Sequence, residues 1–384
     1  METIYNLINI PLVCTFLILV LGYLLGGIKI KGIEIGTAGV LLVALVFGHF
    51  QFEVPDFVND LGIALFVTSV GLIAGPKFFR NFAKNAKSYV LLGFIIILVG
   101  ALTCVATVLV SGGKITPELG VGLLMGALTS TPGLAAGKEA AEAALQSQVA
   151  TGYGVAYPFG VIGVVLFVQL VPKILKVDMA KERENFAAAN DVQIKEYKGK
   201  LTSVDSFGFM PFALAIVLGV LLGKITIPLP GGASFALGTS GGPLISGLIV
   251  GHFGHVGPLS LKVRDDVLKS MREFGLALFL IAAGIKGGQS FVAILAEQGV
   301  MLFVYGAIMT IFPLIVGYIF ARYVLKLSIF NNLGSICGGM TSTPALGTLI
   351  NVAGTDDVAT AYASTYPIAL VCVVLTAQFI IVLM

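Results

Sequence analysis

The apolar stretch Leu119–Gly137, LGVGLLMGALTSTPGLAAG, contains the sequence Thr-Ser-Thr-Pro at residues 129–132, and the same four residues recur at 341–344. Threonine is a good N-cap and proline is preferred at the first helical position, so each motif predicts the start of a new helix arm. The arm before the first proline has about 13 residues, which is roughly 20 Å of helix. That length passes the middle of a hydrocarbon core of roughly 30 Å without crossing it. The motif therefore predicts a re-entrant hairpin in each half of the chain.

The composition excludes most soluble classes of protein. Of the 384 residues, 57% are hydrophobic and 11% are charged, against roughly 25% charged in soluble domains. A soluble enzyme, a nucleic-acid-binding protein or a disordered chain could not hide so much apolar surface from water. The three histidines and four scattered cysteines show no metal-ligand spacing. We therefore expect an all-α protein of the lipid bilayer that is not an enzyme, holds no cofactor and binds no nucleic acid.

Four sequence motifs occur twice in the same order. They indicate an internal duplication, since one such match would be weak and four collinear ones are not. The pairs are residues 47–50 with 250–253, 62–66 with 275–279, 129–132 with 341–344, and 153–158 with 362–367. We therefore divide the chain into a first membrane repeat (1–172), a charged and partly helical linker (173–205) and a second membrane repeat (206–384).

Charge in the loops predicts how the repeats are oriented. The basic run at 77–87 and the linker should both be cytoplasmic by the positive-inside bias, yet three apolar stretches, an odd number, lie between them. Three full crossings would place the basic run and the linker on opposite sides of the membrane. Both can be cytoplasmic if the stretch with the Thr-Ser-Thr-Pro motif enters and leaves the bilayer on the same side. Each repeat then has about five transmembrane helices plus a broken re-entrant hairpin, and the repeats are inverted. The N- and C-termini lie outside, and all but four of the 23 lysines and arginines lie inside.

The two motifs predict a binding site for an anion. A helix that begins near the middle of the bilayer offers free N–H groups and a positive dipole end, and irregular backbone at that depth requires a protein-lined or water-filled cavity. Broken helices at matching places in two halves are the best sequence pointer to a transporter site. The alternative for each motif is a simple loop turn. The candidate substrate-binding residues at the tips are Thr129, Ser130, Thr131, Pro132, Gly133, Thr341, Ser342, Thr343, Pro344 and Ala345.

Two further groups are candidates for the same site. The tyrosine pairs Tyr153/Tyr157 and Tyr362/Tyr366 are four residues apart and share a helix face; they either line the cavity or serve helix packing. Lys286 is a charge inside an apolar segment, which is typical of functional residues. It is a candidate partner for a carboxylate, or it extends its ammonium group to the outer face.

The doubled Thr-Ser-Thr-Pro followed by Tyr-Pro resembles the aspartate:alanine exchanger family of bacterial membrane transporters. The resemblance covers both membrane halves, nearly the whole chain, and implies exchange of small carboxylates, such as acidic amino acids or dicarboxylates, across the inner membrane. Family members often carry two ligand-sensing domains between the halves, where this chain has only the short linker of residues 173–205.

We therefore expect a secondary transporter that exchanges small carboxylates by alternating access between the two hairpin tips. The alternatives are a carboxylate symporter coupled to Na⁺ or H⁺, with Na⁺ as a possible coupling ion, and a channel or receptor-like membrane module. A homodimer is expected by analogy with other carriers.

Overall fold

The computed structural model describes residues 2–30, 33–34, 38–189, 201–228, 234–298 and 300–384, and these are predominantly helical. Five segments within them are long and apolar enough to cross a membrane, namely Asp56–Pro76, Ala86–Val110, Gln146–Ile174, Val300–Val324 and Val358–Leu383. The prediction of an all-α, multi-pass membrane protein is confirmed.

The first half has seven helices in the described residues. They are α1 (Glu2–Ile8), α2 (Pro11–Gly26), α3 (Ala38–His49), α4 (Asp56–Val110), α5 (Pro117–Ala127), α6 (Thr131–Ala140) and α7 (Gln146–Ile174). A small antiparallel hairpin of β1 (Lys29–Ile30) and β2 (Ile33–Glu34) lies between α2 and α3.

The linker contributes one helix in the described residues, α8 (Met179–Ala189), and residues 190–200 lie outside them. The second half continues with α9 (Phe209–Gly223), α10 (Gly238–Phe253), α11 (Asp265–Gln298), α12 (Val300–Ile319), a π-helical turn (Phe320–Val324), α13 (Ile329–Gly339), α14 (Thr343–Ala353) and α15 (Val358–Leu383). Its antiparallel hairpins are β3 (Thr226–Pro228) with β4 (Ser234–Ala236), and β5 (His255–Val256) with β6 (Leu259–Ser260).

The two halves have the same order of elements and reciprocal contacts. In both, a helix, a β-hairpin, a second helix and a long helical stretch precede the two short helices that flank the Thr-Ser-Thr-Pro motif. Helix α4 packs against α10, and α11 packs against α3. The packing is close: a Cβ on Gly71 would lie 2.5 Å from the Leu244 carbonyl oxygen, and one on Gly284 would lie 2.5 Å from Ala44 Cβ. The two halves therefore contact each other through equivalent pairs of helices.

The apolar residues at the start of the chain form two helices, α1 and α2, because Pro11 has no N–H to donate to the preceding turn. One boundary differs from the prediction. The basic run at 77–87, predicted as a loop between two spans, is helical and joins them into the single helix α4. Lysine, arginine and alanine in that run favour helix, and no proline follows Pro76 within it.

Large apolar side chains form both the interior and much of the surface. The core cluster includes residues of α4, α5, α7, α13, α14 and α15. Leucine, valine and phenylalanine are exposed along α2, α9 and α12. An exposed apolar surface of this extent fits contact with lipid and not with water.

Candidate functional site

Each hairpin tip is a helix end followed at once by a helix start. Helix α5 ends with Thr129 in the left-handed region (φ 55°), and the N–H groups of Thr129 and Ser130 donate to the carbonyls of Gly126 and Met125 at 2.9 Å each. This is the hydrogen-bond pattern of a Schellman motif, in which glycine is the usual left-handed residue. The second tip repeats it with Thr341 (φ 48°).

Threonine in the left-handed region is a strained choice. A β-branched residue there is an outlier that costs on the order of 1–3 kcal/mol and persists only where its surroundings hold it. At these tips the holding contacts cross between the two halves. Thr341 Oγ1 donates to the Leu128 carbonyl at 2.7 Å, and Thr129 Oγ1 lies 3.3 Å from the Thr341 carbonyl oxygen and 3.4 Å from that of Met340. The hydrogen bonds of the Thr129 and Thr341 hydroxyls therefore hold the two tips against each other.

The helix that follows each tip begins one residue earlier than predicted. Helices α6 and α14 start at the second threonine of the motif, so the N-caps are Ser130 and Ser342 and each proline lies in the first turn after them. Ser130 Oγ accepts a hydrogen bond from the Gly133 N–H at 3.2 Å. The preceding helix ends at the left-handed threonine, so the next residue, the serine, takes the N-cap position of the following helix.

The two serines are in different environments. Ser130 is buried but caps its helix, whereas Ser342 makes no side-chain cap bond and is 0% exposed. Its Oγ has no hydrogen-bond partner among the described residues. A buried hydroxyl without a partner is costly, so this tip is not in its most satisfied arrangement.

The tyrosine pairs stand beside the tips in matching positions. The rings of Tyr153 and Tyr157 have centroids 5.2 Å apart, as do those of Tyr362 and Tyr366. Tyr153 Oη is 3.3 Å from Thr131 Oγ1, and Tyr362 Oη is 3.2 Å from the Thr343 hydroxyl. Both pairs therefore fix the first residue of the helix that starts at the tip.

One cavity of about 720 Å³ contacts both tips. Helices α4, α6, α7, α10, α11, α14 and α15 contribute to its wall. The predicted site residues that line it are Thr129, Ser130, Thr131, Pro132, Tyr153, Tyr157, Lys286, Thr341, Thr343, Pro344 and Tyr366. A cavity of this size can hold a small organic molecule.

The remaining predicted residues lie behind this wall. Gly133 packs against Met125, since a Cβ there would lie 2.2 Å from the methionine sulfur. Ser342 and Ala345 are fully buried, and Tyr362 is buried against Tyr366. They support the lining residues and do not face the cavity in this state of the protein.

The cavity reaches the two tips unequally. Thr131 at the first tip is exposed, whereas its counterpart Thr343 is 7% exposed. Tyr366 donates or accepts a 2.6 Å hydrogen bond with Ser240 at the start of α10, which packs α15 against α10 on the buried side. The first tip is thus exposed in the cavity, whereas the second forms part of the same wall with little exposed surface.

Charged residues gather at the mouth. Lys286 Nζ is 2.6 Å from Asp56 Oδ1, with the two side chains 60% and 79% exposed. Asp60 and Glu139 also line the cavity. An exposed pair of this kind adds little to stability, but its lysine is one of the residues that line the cavity.

Sequence reasoning missed part of the wall. The start of α10 (Gly238, Thr239, Ser240) lines the cavity, as do Asn59 and Asp60 of α4 and Phe279 of α11. A signal existed for the α4 and α11 residues, because they lie in or beside the duplicated segments 62–66 and 275–279. The start of α10 reaches the site only through its packing beside α15.

Known proteins resemble this chain over most of its length. The model of a family described as "Predicted Permease Membrane Region" (Asp-Al_Ex) matches residues 14–173 and 211–382. An uncharacterized transporter of Bacteroides fragilis is 29% identical over 95% of this chain and 97% of the relative. Similar proteins of Bacteroides thetaiotaomicron and Rhodopirellula baltica, also named uncharacterized transporters, are each 28% identical over 95% and 97% of this chain.

The alignment with the Bacteroides fragilis protein runs over 519 positions, more than the 384 residues of this chain, so that relative contains stretches that are missing here. The family match nevertheless covers both halves of the chain, including both Thr-Ser-Thr-Pro tips and both tyrosine pairs. The chain therefore belongs to the Asp-Al_Ex family of membrane permeases, the aspartate:alanine exchanger family.

Proposed function

We propose that this membrane transporter exchanges small carboxylates, and that the substrate binds in the cavity between the two Thr-Ser-Thr-Pro tips. The observation that carries the proposal is the unequal access to two equivalent tips. Thr131 is exposed to the cavity and Thr343 is buried. Alternating access requires one central site that is open to one side of the membrane at a time, and unequal exposure of the two tips fits such a state.

Helix starts supply the affinity for an anion in this proposal. Helix α6 begins at Thr131 and α10 begins at Gly238, and both starts line the cavity. Pro132 lies beside Gly238, since a Cβ added to Gly238 would be 3.8 Å from the proline ring. Two adjacent positive dipole ends, with the hydroxyls of Thr131 and Tyr153 beside them, favour a carboxylate.

The charges at the mouth favour an amino acid over a dicarboxylate. Lys286 is balanced by Asp56, and Asp60 and Glu139 add negative charge to the wall. A dicarboxylate would meet like charge there, whereas the ammonium group of an amino acid would be attracted. Aspartate and alanine carry an ammonium group that succinate and malate lack, so among the expected substrates we favour the amino acids.

A symporter driven by Na⁺ is the alternative. It would need free carbonyl oxygens at the tips. Among the tip carbonyls, those of Leu128, Met340 and Thr341 lie within hydrogen-bond reach of the threonine hydroxyls, which favours exchange without a bound cation.

Two measurements on the purified protein test the proposal. A thermal-shift screen with aspartate, alanine, succinate and malate should raise the melting temperature most with an amino acid, because a ligand of the folded state stabilises it. Counterflow in proteoliposomes should then proceed without any ion gradient. Uptake that collapses when Na⁺ is replaced with K⁺ would favour the symporter.

Variants at the tips connect the activity to the site. Ser130→Leu should abolish counterflow while the protein remains folded, because the leucine removes the α6 cap and fills the cavity wall. Ser246→Ala is the matched control, since Ser246 is a buried serine of α10 whose hydroxyl bonds to Ala215 and which lies outside the cavity. Wild-type exchange in the Ser130→Leu variant would contradict the assignment of the site.

We also propose an inner-membrane location with both termini outside, the linker cytoplasmic and a homodimeric assembly. Cysteines that replace Pro55 and Asn185 should label from opposite sides of the membrane. Both positions are exposed, which makes them suitable for a membrane-impermeant reagent. Labelling from one side would contradict the topology, and light scattering of the detergent-solubilised protein tests the dimer.

A further inference from the structure

The linker helix α8 contacts the far end of the second hairpin. Arg183 Nε donates to the carbonyl of Ala353 at 2.9 Å. Ala353 is the last residue of α14, where carbonyls have no partner within the helix. One turn further along α8, Phe186 is buried and meets Phe330 of α13 edge to face, with ring centroids 5.3 Å apart. A single short helix thus holds both arms of the hairpin.

Gly354, the residue after α14, leaves room for the contact of Arg183 with the end of this helix. Gly354 has a left-handed backbone (φ 64°), and a Cβ added to it would lie 2.9 Å from Arg183 Cζ. The arginine side chain therefore lies directly over the glycine. Any other residue at this position would both strain the backbone and displace the guanidinium group.

A buried ion pair ties the same turn to α11. Arg272 is 6% exposed and pairs with Asp356, in the turn after Gly354, and with Glu273 at 2.9 Å. Loss of both carboxylates would leave the buried guanidinium charge of Arg272 without compensation, which is strongly destabilising. The end of α14 is therefore held from two directions, by α8 and by α11.

The first hairpin has no such restraint in the described residues. Its return arm α6 ends at Ala140, and the carbonyls around that end are met only by backbone N–H groups of the following turn, such as Ala141 to Gly137. Glu139 beside that end is exposed. The restrained hairpin is the closed one, and the unrestrained hairpin is the open one.

We propose that α8 is a latch that keeps the second hairpin closed on the linker side, so that the linker regulates access to the site. The inference rests on the proposed alternating access. Helix α8 lies in the stretch between residues 173 and 211 that the family match leaves out. Any factor that pulls α8 away would favour the state in which Thr343 is accessible.

Thiol labelling tests the latch without any transported solute. In a background with the four native cysteines changed to alanine, Thr131→Cys and Thr343→Cys report on the two tips. A membrane-impermeant maleimide is added to either side of oriented vesicles. Arg183→Ala should raise the labelling rate at position 343 from the linker side by about tenfold, as expected for the loss of one charge-assisted hydrogen bond. The rate at position 131 from the opposite side should fall.

Lys181→Ala is the matched control, because Lys181 is an exposed basic residue of the same helix. It should leave both rates at the wild-type value. Unchanged rates in Arg183→Ala would overturn the latch, as would equal changes in both variants. Fast labelling of both positions would indicate general loosening and would also contradict it. Since no substrate is added, a negative substrate screen would refute the proposed function without affecting this result.

Discussion

The hydroxyl of Thr341 offers a sharp test of how the tips are held together. It donates at 2.7 Å to the carbonyl of Leu128, the C-cap residue of α5, whose carbonyl has no partner within that helix. Thr341 is 5% exposed and Leu128 is 0% exposed, so water cannot replace the bond. Thr341→Ala therefore leaves a buried carbonyl unsatisfied, which costs about 1–3 kcal/mol.

That cost corresponds to a change of about fivefold to 150-fold in the unfolding equilibrium. Comparison of Thr341→Ser with Thr341→Ala isolates the effect of the hydroxyl, because serine and alanine both lack the γ-methyl group. We expect the unfolding free energy of the serine variant to lie within about 1 kcal/mol of the wild-type value, since serine keeps the hydrogen-bond donor. The measurement is unfolding by SDS titration in mixed micelles, followed by circular dichroism.

Thr129 is the matched position in the other repeat. Its hydroxyl is 3.3 and 3.4 Å from its two acceptors, so its bond is weaker than that of Thr341. Thr129→Ala should therefore cost less than Thr341→Ala. The reasoning is refuted if serine and alanine at position 341 destabilise equally, or if the two threonine-to-alanine variants have the same effect.

Three other outcomes are expected. Tyr366→Phe should lower the unfolding free energy by about 1 kcal/mol, because it loses the 2.6 Å hydrogen bond to Ser240. Tyr157→Phe, at the matched position of the first repeat, should lower the unfolding free energy less. Equal midpoints of SDS unfolding in the two variants would contradict this. Lys286→Gln removes the one basic side chain among the described residues that line the cavity and should weaken binding of the substrate's carboxylate several-fold at low salt and less at high salt, as measured by thermal shift; an unchanged affinity would remove Lys286 from the site. Backbone N–H groups, above all that of Met210, hold the pKa of Asp205 below its usual range. The wild-type protein should therefore be more stable than Asp205→Asn at neutral pH and should lose this advantage as the pH falls below about 4. A difference in melting temperature that stays constant from pH 7 to pH 3 would exclude this role.

The local features of the tips could be predicted because they depend on neighbouring residues. Proline after Thr-Ser-Thr predicts a helix start wherever it occurs, and both copies begin a helix at the second threonine. The prediction erred by one residue in the cap, since it took Thr131 and not Ser130. The tight helix end at Thr129 has no glycine to mark it, so sequence patterns gave no sign of it.

Contacts between distant segments were not predictable in the same way. The start of α10 joins the cavity wall because Ser240 lies against Tyr366, 126 residues away. Likewise, Arg183 caps a helix that ends 170 residues later. No spacing or periodicity encodes such a pairing, which depends on how whole helices pack.

The sequence by itself determined that this chain is a duplicated membrane protein with a broken helix in each half. Apolar length, loop charge and capping residues act locally and therefore appear in the order of the amino acids. Only the tertiary structure decided which tip is open. The two tips carry the same Thr-Ser-Thr-Pro, so the difference between an exposed Thr131 and a buried Thr343 is not encoded in the motif and arises from how the surrounding helices pack.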